Sequence, residues 1–195
     1  MELVLATRNA HKLAEFERLL APFRLSVVPL PGKVVLPPET GETFSANALG
    51  KARAAAGELR RPVIADDSGI EAEALGGAPG VRSARFAGEN AGDAENLRKL
   101  ITEVPIGSGL RYVCALAFVN GVNERVFFGE CRGEMGDHPR GAHGFGYDPI
   151  FVAAQSPNQT MAELTDSEKD LISHRGQAVR DFAWWFLGDR LGLRR

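Results

Sequence analysis

The sequence predicts an α/β fold built on a mixed sheet, and three observations support this prediction. Short apolar segments typical of buried strands alternate with segments whose apolar residues recur at helical spacing. The dipeptide Asn120-Gly121 between two apolar runs is a hairpin signal, which adds an antiparallel pair to strands joined by helices. The 195 residues contain no internal repeat, low-complexity tract or clear linker, so we expect one domain, 1-195, of two interleaved lobes.

The first half of the chain predicts three strands joined by two helices. The predicted strands are the apolar segments Leu3–Ala6, Leu25–Leu30 and Pro62–Ala65. The first helix follows the polar turn 7–9 and carries on one face Leu13, Phe16, Leu19 and Leu20. The second begins near Thr43, a residue type typical of the N-cap position, and covers the alanine-rich segment 46–59.

The second half predicts a helix at 93–103, a hairpin and a final helix. The hairpin strands are expected at 112–119 and 125–132, on either side of the turn signal. A glycine-rich segment follows at 141–148. The last helix begins at about Ser173, and its apolar face carries Val179, Phe182, Trp185 and Phe186.

Composition and charge exclude several classes of protein. Lys plus Arg number 23 and Asp plus Glu number 25, a formal net charge of −2, whereas proteins that bind DNA or RNA usually carry a basic surplus. The longest uninterrupted apolar run, 112–119, is far shorter than the roughly 20 residues of a membrane-spanning helix. We therefore expect neither a nucleic-acid partner nor a membrane.

The N-terminal segment and the cysteines indicate a cytoplasmic protein. The first residues lack the basic leader of a secretory signal, so the cytoplasm is the expected location. Cys114 and Cys131 form no CxxC motif, which argues against a disulfide framework or a zinc site. We expect both to be buried core or strand residues in a reducing compartment.

The first polar cluster, Thr7-Arg8-Asn9-Ala10-His11-Lys12, lies where the first strand runs into the first helix. Backbone N–H groups at a helix start, together with a hydroxyl, an amide and an ammonium, are suited to bind phosphate. The P-loop pattern is absent. Taken alone, the cluster favours a simpler interpretation, in which Asn9 or Thr7 caps the helix and Lys12 is solvated.

The second cluster, Asp66-Asp67-Ser68-Gly69, follows the apolar segment that ends at Ala65. Adjacent carboxylates on an extended chain point in opposite directions, so one can face a cleft while the other fixes a turn. Such a carboxylate can hold Mg²⁺ or deprotonate a water, although an ordinary turn is an equally good interpretation. Glu39 in the proline-rich loop is a further acid for the same ion, and Lys51 lies on the helix that follows.

The third cluster spans 141–149, and its glycines have the spacing GxxGxG. This spacing is the reverse of the dinucleotide fingerprint, so we infer no nicotinamide cofactor. Glycines around Phe145 and Tyr147 allow the backbone to approach a ligand while an aromatic ring stacks on a base. The alternative, in which both aromatic rings lie in the core, is favoured less because glycines are so dense here.

The fourth cluster spans 167–176. Ser173 is suited to cap the last helix, which places His174 and Arg175 in its first turn. Cations in a first turn oppose the helix dipole, so they indicate an anionic or acceptor-rich ligand that offsets this cost. A lone basic pair usually belongs to a solvated face, but Lys169 lies nearby in the sequence.

Six sequence blocks, taken together, are more specific than any single cluster. They are Thr7-x-Asn9-x-x-Lys12, Thr43-Phe44 with Asn47-Ala48 and Lys51-Ala52, the segment 65–69, Pro79-Gly80-Val81-x-Ser83-Ala84-Arg85, the segment 144–151, and the segment 173–176. In their order and over nearly the whole chain they resemble the inosine/xanthosine triphosphate pyrophosphatases. The resemblance implies hydrolysis of deaminated purine triphosphates such as ITP, dITP and XTP to the monophosphate and pyrophosphate. It also implies Mg²⁺, a homodimer, and an elongated mixed sheet with flanking helices whose two lobes surround a nucleotide cleft.

The resemblance also implies roles for individual residues. The family's phosphate-binding loop maps to the residues Thr7 through Lys12, and Lys51 matches a lysine near the phosphates. The acidic general base and metal ligand maps to Asp67, with Ser68 beside it contacting substrate. The base-binding residues map to Phe145, Gly146, Tyr147, Asp148, Lys169, His174 and Arg175.

Two positions depart from the family pattern. Members often carry two acids before the Thr-Gly of the second block and an acid before its Asn, where this chain has Pro38-Glu39 and Ala46-Asn47. Glu39 is the acid that remains at the first place, so the predicted metal ligands are Glu39 and Asp67, with water replacing a lost carboxylate. Two alternatives stay open: a related pyrophosphatase for pyrimidine or other modified nucleotides, and a nucleotide-binding module without turnover.

Overall fold

A computed structural model of the chain describes residues 2–121 and 123–190. Within these ranges the strands are β1 (Glu2–Leu5), β2 (Ser26–Pro29), β3 (Val63–Ala72), β4 (Gly109–Asn120), β5 (Asn123–Met135) and β6 (Phe151–Ala153). The α-helices are α1 (Ala10–Leu20), α2 (Phe44–Leu59), α3 (Asp93–Glu103), α4 (Asp166–Ile172) and α5 (His174–Arg190). Short helical turns cover Ala21–Phe23, Glu73–Leu75 and Gly80–Arg85.

The strands form one mixed sheet in the order β2-β1-β3-β4-β5-β6. Strand β1 is parallel to both of its neighbours, and Val4 is in register with Val28 of β2 and with Val63 of β3. Strand β6 is antiparallel to β5, with Val152 opposite Glu134. The mixed sheet and its helices confirm the predicted α/β class.

The chain folds into two compact units, each assembled from separate stretches of sequence. The first unit comprises the described parts of Met1–Asp67, Cys114–Gly129 and Arg175–Arg195. The second unit comprises Ser68–Val113 and Glu130–His174. Each unit therefore contains residues that lie far apart in the sequence.

Each unit buries its own apolar core. The first core includes the fully buried Phe16 and Phe182, and the centre of the Phe182 ring lies 5.7 Å from that of Phe118. The second core includes the fully buried Phe151 and Met161. Contacts among such side chains hold each set of distant segments together.

Several local predictions are confirmed. The Thr43 hydroxyl oxygen accepts a 3.1 Å hydrogen bond from the Ala46 N–H and caps α2. Strands β4 and β5 flank the predicted turn, where Gly121 has a φ of +62°, which glycine adopts at little cost. Cys114 on β4 and Cys131 on β5 are both buried free cysteines. No helix among the described residues has the length and apolar character needed to cross a membrane.

The predicted end of the third strand at Ala65 is wrong, and one helix has no counterpart in the predictions. The segment Asp66–Gly69 is not a turn after a strand, because β3 continues without interruption from Val63 to Ala72. Partners distant in sequence contact the two carboxylates, and such tertiary contacts override the local turn preference. The unexpected helix is α4, which Thr165 caps by accepting a hydrogen bond from the Glu168 N–H.

Candidate active site

Asp66 is the centre of a buried charge cluster in the first unit. This residue of β3 lies 2.9 Å from the Lys12 ammonium of α1 and 3.2 Å from the Arg175 guanidinium of α5. Arg175 also donates a hydrogen bond to Glu15 on α1. Asp66 and Arg175 are almost completely buried. Two anions and two cations thus neutralise one another, and Lys12, whose side chain is 15% exposed, is the member of this cluster that is only partly buried.

The cluster keeps Asp66 ionised. Burial opposes ionisation, but Lys12, Arg175 and Lys51 hold the pKa of Asp66 well below its ordinary value. Cys114 lies close to these charges, and burial raises the pKa of its thiol to about 12. The thiol therefore stays protonated and is no nucleophile, while Asp66 is a fixed anion.

Asp67 is the next residue of β3 and contacts a different set of partners. Its Oδ2 accepts a 2.9 Å hydrogen bond from Asn47 Nδ2, and its Oδ1 lies 3.7 Å from Lys51 Nζ. Asn47 and Lys51 are one turn apart on α2, so a single helix face presents both. Lys51 Nζ also lies 2.5 Å from Glu39 Oε1. Two acids therefore converge on one ammonium.

The pKa of Asp67 is shifted in the opposite direction from the pKa of Asp66. Burial raises the pKa of Asp67 above its ordinary value, and Glu39 adds to the rise, whereas Lys51 and Asn47 counteract it. For Lys51, burial lowers the pKa, but the nearby carboxylates raise it by more, so the ammonium stays charged. A carboxylate with a raised pKa beside a fixed cation is suited to accept a proton from water.

The loop before α1 adopts the predicted capping arrangement. Asn9 Oδ1 accepts hydrogen bonds from the N–H groups of His11 and Lys12, at 2.9 and 3.1 Å. Thr7 Oγ1 accepts one from the Asn9 N–H at 3.2 Å. The expectation that Lys12 is solvated is wrong, because its ammonium pairs with the buried Asp66. The loop thereby directs a cation toward β3.

Arg8 ties the same loop to the segment that follows β2. Its guanidinium donates to four carbonyl oxygens at 2.7 to 3.3 Å, those of Leu30, Pro31, Gly32 and Val34. Ala10 is the first residue of α1. Arg8 therefore fixes the predicted phosphate loop, residues 7–12, to the backbone that follows β2.

Asp148 is the centre of a second cluster, which lies wholly in the second unit. Its Oδ2 accepts hydrogen bonds from Lys169 Nζ at 2.7 Å and from the Phe145 N–H at 2.9 Å. Its Oδ1 accepts one from the Tyr112 hydroxyl at 3.1 Å. Lys169 Nζ lies 5.2 Å from the centre of the Phe145 ring. Asp148 and Lys169 are buried, so little water competes with their ion pair.

The glycine-rich segment is shaped by this cluster. Gly144 has a φ of +71°, and a Cβ there would lie 2.1 Å from Asp148 Oδ2, so only glycine fits. Tyr147 is buried in the core, and its hydroxyl donates a 2.7 Å hydrogen bond to the Ser83 carbonyl. The prediction that the aromatic rings of this segment lie outside the core is thus wrong for Tyr147. The Phe145 side chain is half-buried.

His174 and Arg175 begin α5, as the sequence predicted, but their partners differ from the expectation. The His174 ring stacks on Tyr112, with ring centres 4.6 Å apart and planes inclined by 10°. Arg175 contacts Glu15 and Asp66, so protein carboxylates offset its position at the start of a helix. An added anionic ligand is not required to explain that cation.

The predicted site residues fall into two groups, one in each unit. The first-unit group contains Lys12, Glu39, Lys51, Asp67 and Arg175. The second-unit group contains Phe145, Asp148, Lys169 and, through Tyr112, His174. Ser68 follows Asp67 on β3, and the Gly146 N–H donates a 3.0 Å hydrogen bond to Asp93.

Three further residues contact members of these groups and were not among the predicted site residues. Glu15 lies beside Phe16 and Leu19 on the buried face of α1, and an acid at such a position is a signal for a buried cation. Asn47 belongs to the second sequence block but was given no role there, and Tyr112 gives no local signal. Their partners are distant in the sequence, so only the fold reveals their contacts.

The described residues do not provide a complete set of protein ligands for a metal ion. In the ranges 2–121 and 123–190, no group of three or more His, Cys, Asp or Glu side chains is arranged to hold a metal ion. Glu39 and Asp67 are two carboxylates that share Lys51 as a neighbour. Any divalent ion would therefore depend on ligands besides these two carboxylates.

Known proteins resemble this chain over nearly its full length. A family model described as the Ham1 family matches residues 3–185. A dITP/XTP pyrophosphatase of Frankia alni is 49% identical, covering 94% of this chain and 96% of the relative; one of Geobacillus kaustophilus is 47% identical, covering 91% and 90%. The solved structure of a HAM1 protein from Coxiella burnetii has a TM-score of 0.84 at 39% identity, covering 96% of this chain and 98% of that one. The predicted family resemblance is confirmed, and the chain belongs to the Ham1 family.

Proposed function

We propose that this chain is a Mg²⁺-dependent pyrophosphatase that hydrolyses dITP, ITP and XTP to the monophosphate and pyrophosphate, keeping deaminated bases out of DNA and RNA. The names of the Frankia and Geobacillus relatives, both dITP/XTP pyrophosphatases, support the substrate class. The observation that carries the proposal is the buried Asp67 carboxylate, which Asn47 holds and Lys51 flanks. Hydrolysis of a triphosphate needs such a base beside positive charge that binds phosphate.

Asp67 is the proposed general base. It takes a proton from a water whose oxygen forms a bond to the α-phosphorus. The bond from the α-phosphorus to the oxygen bridging to the β-phosphate breaks, and pyrophosphate leaves with that electron pair. The raised pKa of Asp67 makes it a stronger base than an exposed aspartate. Lys51 and Lys12 are the cations that we assign to the phosphates.

Glu39 and Asp67 are the residues proposed to hold Mg²⁺. Their carboxylates lie 2.5 and 3.7 Å from the Lys51 ammonium, so both already approach one positive charge. Mg²⁺ prefers oxygen ligands, keeps several waters and commonly takes substrate phosphates as further ligands, so two carboxylates fit its requirements. When bound, the ion would neutralise charge on the triphosphate.

The second-unit cluster is the proposed site for the base. Hypoxanthine and xanthine carry a 6-oxo acceptor where adenine carries an amino donor, so a protein donor there favours the deaminated bases. We assign that donor to His174 or to a backbone N–H of 144–148, because the Arg175 guanidinium donates to Glu15 and Asp66. The Phe145 ring is the proposed stacking surface.

A nucleotide panel tests this function. The purified protein is incubated with dITP, XTP, GTP, ATP and dTTP, with and without Mg²⁺, and pyrophosphate and orthophosphate are measured separately. We expect pyrophosphate from dITP and XTP, only with Mg²⁺. Orthophosphate as the first product would contradict attack at the α-phosphorus, preference for dTTP would favour a pyrimidine nucleotide enzyme, and binding without product would favour a binding module. Sedimentation of the same sample tests the predicted homodimer.

A further inference from the structure

Tyr112 links two residues of the second unit that lie far apart in the sequence. It belongs to β4, is buried, and contacts both Asp148 and His174. The hydroxyl makes one of these contacts and the ring makes the other. A single side chain therefore controls two groups to which the proposed function assigns the base.

The hydroxyl of Tyr112 helps to hold the Asp148 carboxylate. It donates to Oδ1 at 3.1 Å, while Oδ2 accepts from Lys169 Nζ and from the Phe145 N–H. Donors on both oxygens fix the plane of the carboxylate. Asp148 in turn fixes the Lys169 ammonium and the Phe145 N–H. The Tyr112 hydroxyl therefore influences both groups indirectly, through Asp148.

The ring of Tyr112 sets the plane of the His174 imidazole. The two rings are nearly parallel, with an angle of 10° and ring centres 4.6 Å apart. Phe151, which is fully buried, packs on Tyr112 with ring centres 4.5 Å apart and keeps it in place. Because the N–H bonds of an imidazole lie in its plane, the stack fixes the direction in which His174 can donate.

We propose that Tyr112 is a positioning residue that determines base preference: its ring aims His174 and its hydroxyl aligns Asp148 with Lys169. This proposal rests on the proposed function for the identity of the bases. The hydroxyl and the ring of Tyr112 have separate effects on nucleotide recognition. The hydroxyl governs how tightly a purine nucleotide binds, and the ring governs discrimination between the 6-oxo and 6-amino bases.

Two variants of Tyr112 separate these effects, and a variant of Thr160 serves as the control. Tyr112→Phe keeps the stack and removes the hydrogen bond, whereas Tyr112→Leu removes both. Thr160→Val is the matched control, since it deletes another buried hydroxyl of the same unit, which donates a 2.9 Å hydrogen bond to the Arg140 carbonyl. For each protein, kcat and KM are measured with dITP and dATP.

We expect Tyr112→Phe to raise KM for dITP about three- to tenfold, with kcat and the preference for dITP over dATP nearly unchanged. Tyr112→Leu should lower the ratio of the two kcat/KM values at least about tenfold. Thr160→Val should resemble the unmodified protein. The proposal is overturned if Tyr112→Phe has the KM of Thr160→Val, or if folded Tyr112→Leu keeps the full preference. Should Tyr112→Leu not fold, Tyr112→Met takes its place, because it also lacks the ring and its flexible side chain fills more of the space; the same loss of preference is expected, and full preference in a folded Tyr112→Met overturns the proposal.

Equilibrium binding of IMP and AMP distinguishes failure of this proposal from failure of the proposed function. If no nucleotide is hydrolysed, the pyrophosphatase assignment fails, but calorimetric titration still compares the variants. Tyr112→Phe should then weaken IMP binding by the same three- to tenfold, about the effect of losing one ordinary hydrogen bond. Equal IMP affinity in Tyr112→Phe and Thr160→Val, or no IMP binding by the unmodified protein, would overturn the role of Tyr112.

Discussion

The side-chain amide of Asn47 donates a 2.9 Å hydrogen bond to the buried carboxylate of Asp67. Asn47 itself is fixed, because its Oδ1 accepts a 2.8 Å hydrogen bond from the Gly41 N–H. The proposed base is thus oriented by a side chain that cannot change its own protonation. Helix α2 presents Asn47 and Lys51 together, so one helix sets both the direction and the electrostatic surroundings of Asp67.

Asn47→Ala should shift the pH dependence of the reaction. The Asn47 hydrogen bond favours the ionised form of Asp67 and lowers its pKa, so its loss raises that pKa further. We expect the acid limb of kcat/KM to move to higher pH, with kcat at least about tenfold lower. Asn96→Ala, which removes hydrogen bonds to Ala84 and Ala87 instead, is the control. An unmoved acid limb in Asn47→Ala would show that Asp67 is not the group that titrates.

The unmodified protein should lose activity in acid above the ordinary pKa of an aspartate. Asp67 must be ionised to take a proton, and burial raises its pKa above the reference value of 3.8. Because kcat/KM reports the groups of the free enzyme, a plot of this ratio for dITP against pH, with Mg²⁺ supplied only as its complex with the nucleotide so that free Asp67 carries no ion, should fall on the acid side with a midpoint above 3.8. A profile that stays flat down to that value would contradict Asp67 as the base.

Replacing Asp66 and replacing Asp67 should change the free energy of unfolding in different ways. Asp66→Asn leaves Arg175 and Lys12 with one fewer buried anion, so the free energy of unfolding should fall by about 3–5 kcal/mol. The low pKa of Asp66 means that its contribution is present above the unfolded pKa of about 3.9 and is lost as the pH falls below it. Asp67→Asn should be neutral or stabilising, because a raised pKa marks a carboxylate whose charge is unfavourable when folded. Urea unfolding at pH 7 and at pH 3, which is below the unfolded pKa, measures both effects; equal losses in the two variants at pH 7 would contradict the distinction.

Gly144→Ala should weaken nucleotide binding. A Cβ at this position would lie 2.1 Å from Asp148 Oδ2 and 3.1 Å from Lys169 Nζ, so the buried ion pair must move. We expect KM for dITP to rise about tenfold or more with a smaller change in kcat. Gly80→Ala is the control, since Gly80 also has a positive φ, +57°, but no atom within 4 Å of its added Cβ. If both variants raise KM equally, backbone strain rather than the ion pair explains the result.

Local sequence patterns predicted most of the helices and strands, since capping and periodicity act over a few residues. Thr43 and Gly121 are such cases. Patterns failed where distant charges decide the structure. Asp66 and Asp67 have the composition of a turn, yet they lie inside β3 because cations and an amide from other elements contact them.

The site was predicted in part for the same reason. Lys12 and Asp67 stand out as polar residues that follow apolar segments, whereas Lys51 lies within a helix and was assigned through the family resemblance. Tyr112 does not, because a tyrosine within an apolar strand is an ordinary core residue until the fold brings Asp148 and His174 against it. Tyr147 shows the converse, since it lies in a glycine-rich segment but is buried in the core.

The most direct test of the account is pyrophosphate release from dITP by Asp67→Asn. The substitution keeps the shape of the side chain and removes its ability to accept a proton. We predict a fall in kcat of about 10²–10⁴-fold, with a free energy of unfolding no lower than that of the unmodified protein. Turnover within a fewfold of the unmodified rate, from a folded variant, would contradict the assignment of Asp67 as the general base.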